Sequence, residues 1–279
     1  MNKNKELNLI KRFATYIILG SIAVGCVLPL FVAGYESLKS EAQFANDPAG
    51  LVFSPTFDNF REAWGIIGPA IINSVVIVTP ATLMTIFFCS FTGYILSSYS
   101  FGGRRGIFAT IVSGLGVPPQ AYIIPLVIFA VRANLFNTNY GMSIIYFLYS
   151  VAGGVLYLTN YYLSSLPREL VESSNVDGCS IMGTYWRIVL PLSPIIVGIV
   201  ICFNFTSWYN NLLWPLVLTA GKGTETVPVV LSMFSGRTAV KWTLQLAAAL
   251  IASVPSVTLY LLGSRYVVRG FLSYQVGKG

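Results

Sequence analysis

Apolar and uncharged positions along this chain come in long blocks, not in alternation. Between clusters of Lys, Arg, Asp and Glu lie six runs free of all four residue types: 13–35, 63–103, 106–131, 133–167, 188–221 and 242–264. Each exceeds the roughly 20 residues that a helix needs to cross the hydrocarbon core. Alternating ten-residue segments, the mark of a membrane β-barrel, are not the pattern here, and a helix satisfies its own backbone polar groups within the bilayer. The pattern predicts an all-α polytopic membrane protein with six transmembrane helices in one domain spanning 1–279. The second, fourth and fifth runs are too long for one straight span, so each is expected to include an interfacial or loop portion.

Composition sharpens this. The chain is 55% hydrophobic and 10% charged, where a soluble domain carries about 25% charged residues. With the N-terminus placed inside, the inner segments hold eleven cations (Lys3, Lys5, Lys11, Arg12, Arg104, Arg105, Arg168, Arg187, Arg265, Arg269, Lys278) and the outer ones six (Lys39, Arg61, Arg132, Lys222, Arg237, Lys241). Positive charge concentrates on the cytoplasmic side of membrane proteins, so both termini are expected there. The net charge of +7 then reports topology and argues poorly for nucleic-acid binding. The basic N-terminal stretch followed by residues 13–35 is longer than a signal-peptide core and reads as an uncleaved first helix. Cys26, Cys89 and Cys202 fall in expected spans and Cys179 between them, with no CxxC, so neither a disulfide nor a metal site is suggested.

The first outer loop, 36–62, carries "NDPAG" and "FSPTFDNFREAW", punctuation that suits a surface loop with a short helix near Phe57–Trp64. Prolines sit inside expected helices at 80, 118, 119, 125, 194 and 255. Each costs a backbone hydrogen bond, and such positions recur either where helices curve in packing or where they bend around a cavity.

The most informative stretch is polar: "ESSNVDGCSIMGTYWRIVLPLSPI", Glu172 to Ile195, within the inner segment 166–192. Pro167 suits the first turn of a helix running through Glu172. Asp177-Gly178 breaks it, and Ser180 can cap the next helix, in which Ile181, Tyr185, Ile188 and Val189 recur at helical spacing. Pro191 and Pro194 mark the return to the membrane. Two readings fit: a docking element for a groove on a soluble partner, and a loop held against its own membrane domain.

These residues resemble a family pattern. The order Glu172, Asp177-Gly178, Tyr185, Ile188, Leu190-Pro191-Leu192 and Pro194 is similar to the "EAA" loop of ABC importer permeases, with Ser173 and Ser174 in place of two alanines and Cys179 in place of a third. "PTFDNFREAW" (55–64), "FNTNYG" (136–141), "SWYNNLLWPL" (207–216) and "RYVVRG" (265–270) look like the second permease of carbohydrate importers of the maltose-uptake type. The resemblance spans essentially the whole chain, although the 265–279 tail, "GFLSYQVGKG" at its end, departs from the usual ending. It implies a type I ABC importer permease fold in a prokaryotic cytoplasmic membrane. The implied partners are a sister permease, an ATPase dimer inside and an extracytoplasmic sugar-binding protein. ATP and Mg belong to the ATPase; this chain has no GxxxxGK[ST] loop, and no catalytic residue or bound cofactor is expected in it.

By the same resemblance Glu172, Ser173, Ser174, Asp177, Gly178, Cys179, Tyr185, Ile188, Pro191 and Pro194 form the coupling loop to the ATPase. The outer loop "TAGKGTETVP", with Gly221, Lys222, Gly223 and Thr224, corresponds to one that reaches the binding protein, although its glycines alone also explain a surface turn. A sugar path needs hydrogen-bonding groups and aromatic faces with few fixed charges. Tyr146, Tyr149, Tyr157, Asn160, Asn204 and Trp208 fit that description, and packing between helices competes as an explanation for each. A secondary carrier or channel is the alternative class; such proteins usually place ionisable groups inside the membrane, and the six runs contain neither these nor any His. A membrane scaffold that recruits a soluble partner is a third reading, and a polyol or glycerol phosphate is an alternative cargo to an oligo- or disaccharide.

Overall fold

The computed structural model describes residues 3–52, 54–221, 223–235 and 241–276, and these are helical with no strand among them. The order is α1 (Lys3–Ser37), α2 (Glu41–Asn46), α3 (Asp58–Ser98), α4 (Arg104–Ser113), α5 (Ile123–Arg132), α6 (Asn139–Ser165), α7 (Arg168–Val176), α8 (Ile181–Thr184), α9 (Pro194–Tyr209), α10 (Leu213–Leu218), α11 (Val227–Ser235) and α12 (Trp242–Val276). Among the described residues four helices are long and apolar enough to cross a membrane: Lys11–Ser37, Asp58–Ser98, Asn139–Ser165 and Trp242–Tyr266. They correspond to the first, second, fourth and sixth uncharged runs.

The other two runs are realised as broken helices. In the third, α4 and α5 are separated by two 3-10 turns, Gly114–Gly116 and Pro119–Ala121. The Pro118-Pro119 pair explains the break, because a residue before proline is driven out of the helical region, and Pro118 is extended (φ −65°, ψ 137°). In the fifth, Ile181–Val189 meets α9 at a bend of 88°, with Pro191 and Pro194 at the corner.

Two sequence expectations change. The short helix near Phe57–Trp64 is not separate: α3 starts at Asp58 and continues for 41 residues. The Thr56 hydroxyl accepts from the Asp58 amide at 3.2 Å and donates to its carboxylate at 2.8 Å. No proline separates this start from the apolar run until Pro69, which α3 accommodates along with Pro80. The second run therefore carries no loop portion before Ser98. At the other end, α12 runs unbroken from Trp242 to Val276, so most of the tail at 265–279 extends the last helix; residues 277–279 lie outside the described residues.

The chain divides into two compact units, one of Met1–Gly68 and Leu231–Ser253, the other of Pro69–Val230 and Val254–Gly279. In the first, Lys39 is fully buried. Its Nζ pairs with Glu36 at 2.7 Å, donates to the carbonyls of Pro48 at 2.7 Å and Asp47 at 3.4 Å, and lies 5.3 Å from the Tyr35 ring centre. A buried ammonium is tolerated only with such partners, and this one ties residues 47–48 to the end of α1. Glu41 accepts from the Trp242 amide and the Thr243 hydroxyl, at 3.2 and 2.7 Å, closing the same unit onto the start of α12. The apolar window of α1 itself is entirely uncovered within the chain, as suits a helix solvated by lipid.

In the second unit α6 is the most enclosed span. It crosses α3 closely at two small residues. A Cβ on Gly93 would lie 2.9 Å from the Thr159 amide nitrogen and 3.1 Å from the Leu158 carbonyl carbon, and one on Gly154 would lie 2.8 Å from Cys89 Sγ. Close approach of backbones is how membrane helices gain packing energy where the hydrophobic effect is absent.

Candidate functional site

The stretch between α6 and α9 forms the helix-turn-helix that the sequence anticipates, and the local geometry explains each turn. Helix α7 begins after Pro167, which is its N-cap. It ends in hydrogen bonds from the Gly178 amide to Asn175 O (3.1 Å) and from the Cys179 amide to Ser174 O (3.0 Å). That is a Schellman terminus, whose C′ position takes the left-handed backbone. Gly178 is that residue, with φ +76°. Ser180 then caps α8 by accepting from the Gly183 amide at 3.1 Å. Next, α8 passes into a π-helical turn, Tyr185–Val189, a form that appears mostly as single turns and often at functional sites.

One face of this loop is built into the membrane core. Tyr185 is fully buried, edge-on to Phe91 at 5.3 Å and stacked on Tyr94 at 6.2 Å between ring centres. Val171, Val189 and Tyr162 belong to the same cluster. Ser174 is buried, hydrogen-bonded to the Thr184 hydroxyl at 2.9 Å, so only a small side chain fits where the two loop helices meet. On the far side, Tyr94 Oη and Tyr99 Oη are 2.8 Å apart and Tyr99 donates to Asn175 Oδ1 at 3.4 Å. Ile188 and Cys179 are half-buried, and Pro191 and Pro194 are exposed at the corner.

The opposite face is open. Glu172, Ser173 and Asp177 are exposed, and among the described residues neither acid is in an ion pair. The same loop carries the exposed apolar side chains of Leu170, Val176, Ile181, Met182 and Trp186, Val176 being 87% exposed, while Trp186 also stacks on Phe87 with ring centres 5.8 Å apart. The arrangement is an apolar patch with an acidic edge, fixed to a rigid core behind it. Sequence periodicity placed Ile181, Tyr185, Ile188 and Val189 on one stripe; Tyr185 and Val189 point in and Ile188 is half-buried, whereas Ile181, in the first turn of α8, is exposed.

A second feature is a cavity of about 620 Å³ between α6, α9 and α10. Four of the six path candidates line it: Tyr149, Tyr157, Asn204 and Trp208. Tyr146 stands behind the wall, fully buried, stacked on Trp208 with ring centres 4.3 Å apart. Asn160 is elsewhere, in a smaller hollow. Trp208 Nε1 donates to Ser150 Oγ at 2.8 Å, and Tyr149 meets Trp208 and Trp214 edge-on at 5.3 and 6.1 Å. Ser207, Asn211 and Trp214 also face the space, and among the described residues no charged side chain lines it. Sequence reasoning missed Ser150, Asn211 and Trp214. Asn211 and Trp214 lie inside the quoted "SWYNNLLWPL", so a signal was there, whereas nothing in the pattern marks Ser150.

The loop after α10 is anchored instead of loose. Gly221 and Gly223 have φ of +101° and +112°. Asn137, itself left-handed at φ 55°, accepts through Oδ1 from the Ala220 amide (3.0 Å) and the Thr224 hydroxyl (2.6 Å). Asn73 donates to the carbonyls of Gly223 and Glu225 at 3.0 and 3.2 Å. Lys222 lies outside the described residues.

An apolar-walled cavity among helices, and a loop with one face packed in the core and the other exposed, are features that a membrane transport subunit would carry. Comparisons with known proteins agree. Residues 89–271 match the family model described as binding-protein-dependent transport system inner membrane component. A probable ABC transporter permease protein of Pyrococcus horikoshii is 32% identical over 267 residues, covering 94% of this chain and 96% of the relative. The arabinooligosaccharides transport system permease protein of Bacillus subtilis is 27% identical over 266 residues, 93% of each chain. The fold matches that of a chain from the crystal structure of a bacterial ABC transporter involved in import of the acidic polysaccharide alginate. The TM-score is 0.79 at 18% identity, over 93% of this chain and 97% of that one. This chain belongs to the family of binding-protein-dependent transport system inner membrane components. It is a multi-pass permease of the prokaryotic cytoplasmic membrane.

Proposed function

We propose that the chain forms half of the translocation path of an ABC importer for a neutral oligo- or disaccharide, paired with a sister permease and driven by a separate ATPase dimer that binds ATP and Mg. The observation that carries the cargo reading is the cavity: tyrosine and tryptophan faces, amide and hydroxyl groups, and no fixed charge. Sugars present apolar ring faces and many hydroxyls, which this wall complements. The relative that transports arabinooligosaccharides supports the class of cargo.

In this reading the exposed patch around Val176 and Trp186 sits in the ATPase, with Glu172 and Asp177 at its polar edge. Closure of the ATPase on ATP pushes the loop. Because Tyr185 is locked among Phe91, Tyr94 and the α6 residue Tyr162, the push moves α3 and α6 with it. Six spans with both termini in the cytoplasm place the loop inside and the 219–226 loop outside, facing the binding protein.

The test is to purify the chain with its co-eluting partners from native membranes, reconstitute them with the binding protein, and measure ATPase activity with neutral oligosaccharides and with oligouronates of equal length. Stimulation by a neutral sugar is expected. Recovery without an ATPase, or stimulation by the uronate alone, contradicts the reading.

The anchored outer loop yields a further expectation. Asn137→Ala removes the acceptor for Ala220 and Thr224 and an asparagine suited to left-handed backbone, together worth about 1–2 kcal/mol. Binding-protein-dependent uptake is expected to fall about tenfold with the amount of protein in the membrane unchanged. Unaltered uptake would show that the loop needs no preset shape.

A further inference from the structure

A second hollow, of about 240 Å³, lies where the end of α3, the start of α4 and the later turns of α6 meet. It shares no lining residue with the transport cavity. Its walls divide by chemistry: Leu96, Phe108 and Leu163 are apolar, while Arg104, Arg105 and Asn160 are polar, with Thr159 beside them.

The electrostatics of this hollow are unbalanced. Arg104 and Arg105 occupy the first turn of α4, whose N-cap, Gly103, supplies no side-chain hydrogen bond and whose first turn contains no acid. A helix N-terminus already carries about half a positive charge, so cations there add to the dipole, and an anion is what would stabilise it. Among the described residues neither arginine pairs with a carboxylate. Arg104 donates to the Tyr99 carbonyl at 3.3 Å, leaving most of its five donors free. Thr159, only 3% exposed, has a hydroxyl without a partner. Two guanidinium groups, an amide and an unsatisfied hydroxyl thus line one hollow where no carboxylate among the described residues pairs with the arginines.

We propose that this hollow binds a phosphate-bearing anion, namely the headgroup of an anionic phospholipid of the inner leaflet. Arg104 and Arg105 hold the phosphate, Asn160 hydrogen-bonds the headgroup, and the glycerol and first acyl carbons lie along Leu96, Phe108 and Leu163. Basic pockets between helices on the cytoplasmic face are the expected location for such lipids. The apolar half of the wall favours a lipid over a soluble phosphate ester, which shares the headgroup chemistry. The assignment rests on the cytoplasmic placement of this end in the function proposed above. A lipid here braces α4 against α6 beside Tyr99, which contacts Asn175 of the coupling loop.

The test uses the full chain in a neutral detergent with whatever partners remain bound, titrated with dioleoyl-phosphatidylglycerol or dioleoyl-phosphatidylcholine and read by native mass spectrometry. Transport is not involved, so failure of the importer reading and failure of this one are separable. A preference for phosphatidylglycerol on the order of thirtyfold is expected, lost in Arg104→Gln/Arg105→Gln. The charge-matched control Arg61→Gln/Arg132→Gln is expected to keep it. Arg105 is exposed, so Arg105→Gln alone tests the site without disturbing the interior and is expected to lower the preference about fivefold. Displacement of the lipid by millimolar glycerol 3-phosphate or inorganic phosphate, sensitive to the same variants, would keep the site but reassign its source to a soluble anion. Equal retention of the two lipids by the wild type, or an unchanged preference in both arginine variants, overturns the proposal.

Discussion

Gly178→Val is expected to lower uptake about tenfold or more while leaving the chain in the membrane. No atom lies within 4 Å of the position a Cβ would take there, so the effect is conformational and not steric crowding. The residue closes the α7 Schellman terminus at φ +76°, and a β-branched side chain in that region costs about 1–2 kcal/mol or more. The native turn then becomes a minority conformation, populated roughly tenfold less. The turn sets the angle between α7 and α8, and with it the positions of Val176 on one side and Ile181 and Trp186 on the other. Partner binding to that patch fails, or ATP hydrolysis runs without uptake. Gly178→Asn provides the discriminating control, since asparagine enters the left-handed region with the smallest penalty after glycine. It is expected to retain much of the uptake. Equal loss in Val and Asn variants would show that the absence of a side chain, not the backbone angle, is what the partner requires.

Trp208→Ala is expected to have the largest effect on stability, and Tyr157→Ala to separate stability from transport. Trp208 is nearly buried, stacked on Tyr146 and hydrogen-bonded to Ser150. Truncating such a side chain costs about 3–5 kcal/mol, comparable to much of a domain's net stability. Less protein should reach the membrane, and what does should unfold at lower temperature; Trp208→Phe, which keeps a stacking face, should recover most of the level. Tyr157 is 63% exposed and faces the same cavity. Its removal should leave the thermal midpoint nearly unchanged and raise the sugar concentration needed for half-maximal uptake. If Tyr157→Ala transports normally, with an unchanged sugar concentration for half-maximal uptake, Tyr157 makes no contact with the cargo.

Much of the site was legible in advance because its information is local. A Schellman terminus needs a glycine at one position, a cap needs a serine at another, and both are written within a few residues, as Gly178 and Ser180 show. The exposed face of the loop was less legible, since periodicity put Ile181 and Tyr185 on one stripe, whereas Tyr185 is buried and Ile181, in the first turn of α8, is exposed. The path candidates were chosen by residue type alone. Type cannot distinguish Trp208, which forms the cavity wall, from Tyr146 behind it or Asn160 in another hollow.

By itself, the sequence determined the all-helical membrane class, the uncharged runs and the polar loop between the fourth and fifth of them, because lipid imposes long apolar blocks and turns require particular residues. Only the tertiary structure decided which runs stay unbroken, as α3 does through Pro69 and Pro80, and which break, as the third does at Pro118. It alone brought Asn73 and Asn137 to the 219–226 loop, and Arg104 to the hollow shared with Asn160. Those pairings join residues far apart in sequence, and helix packing, which depends on the fit of whole surfaces at positions such as Gly93 and Gly154, sets them.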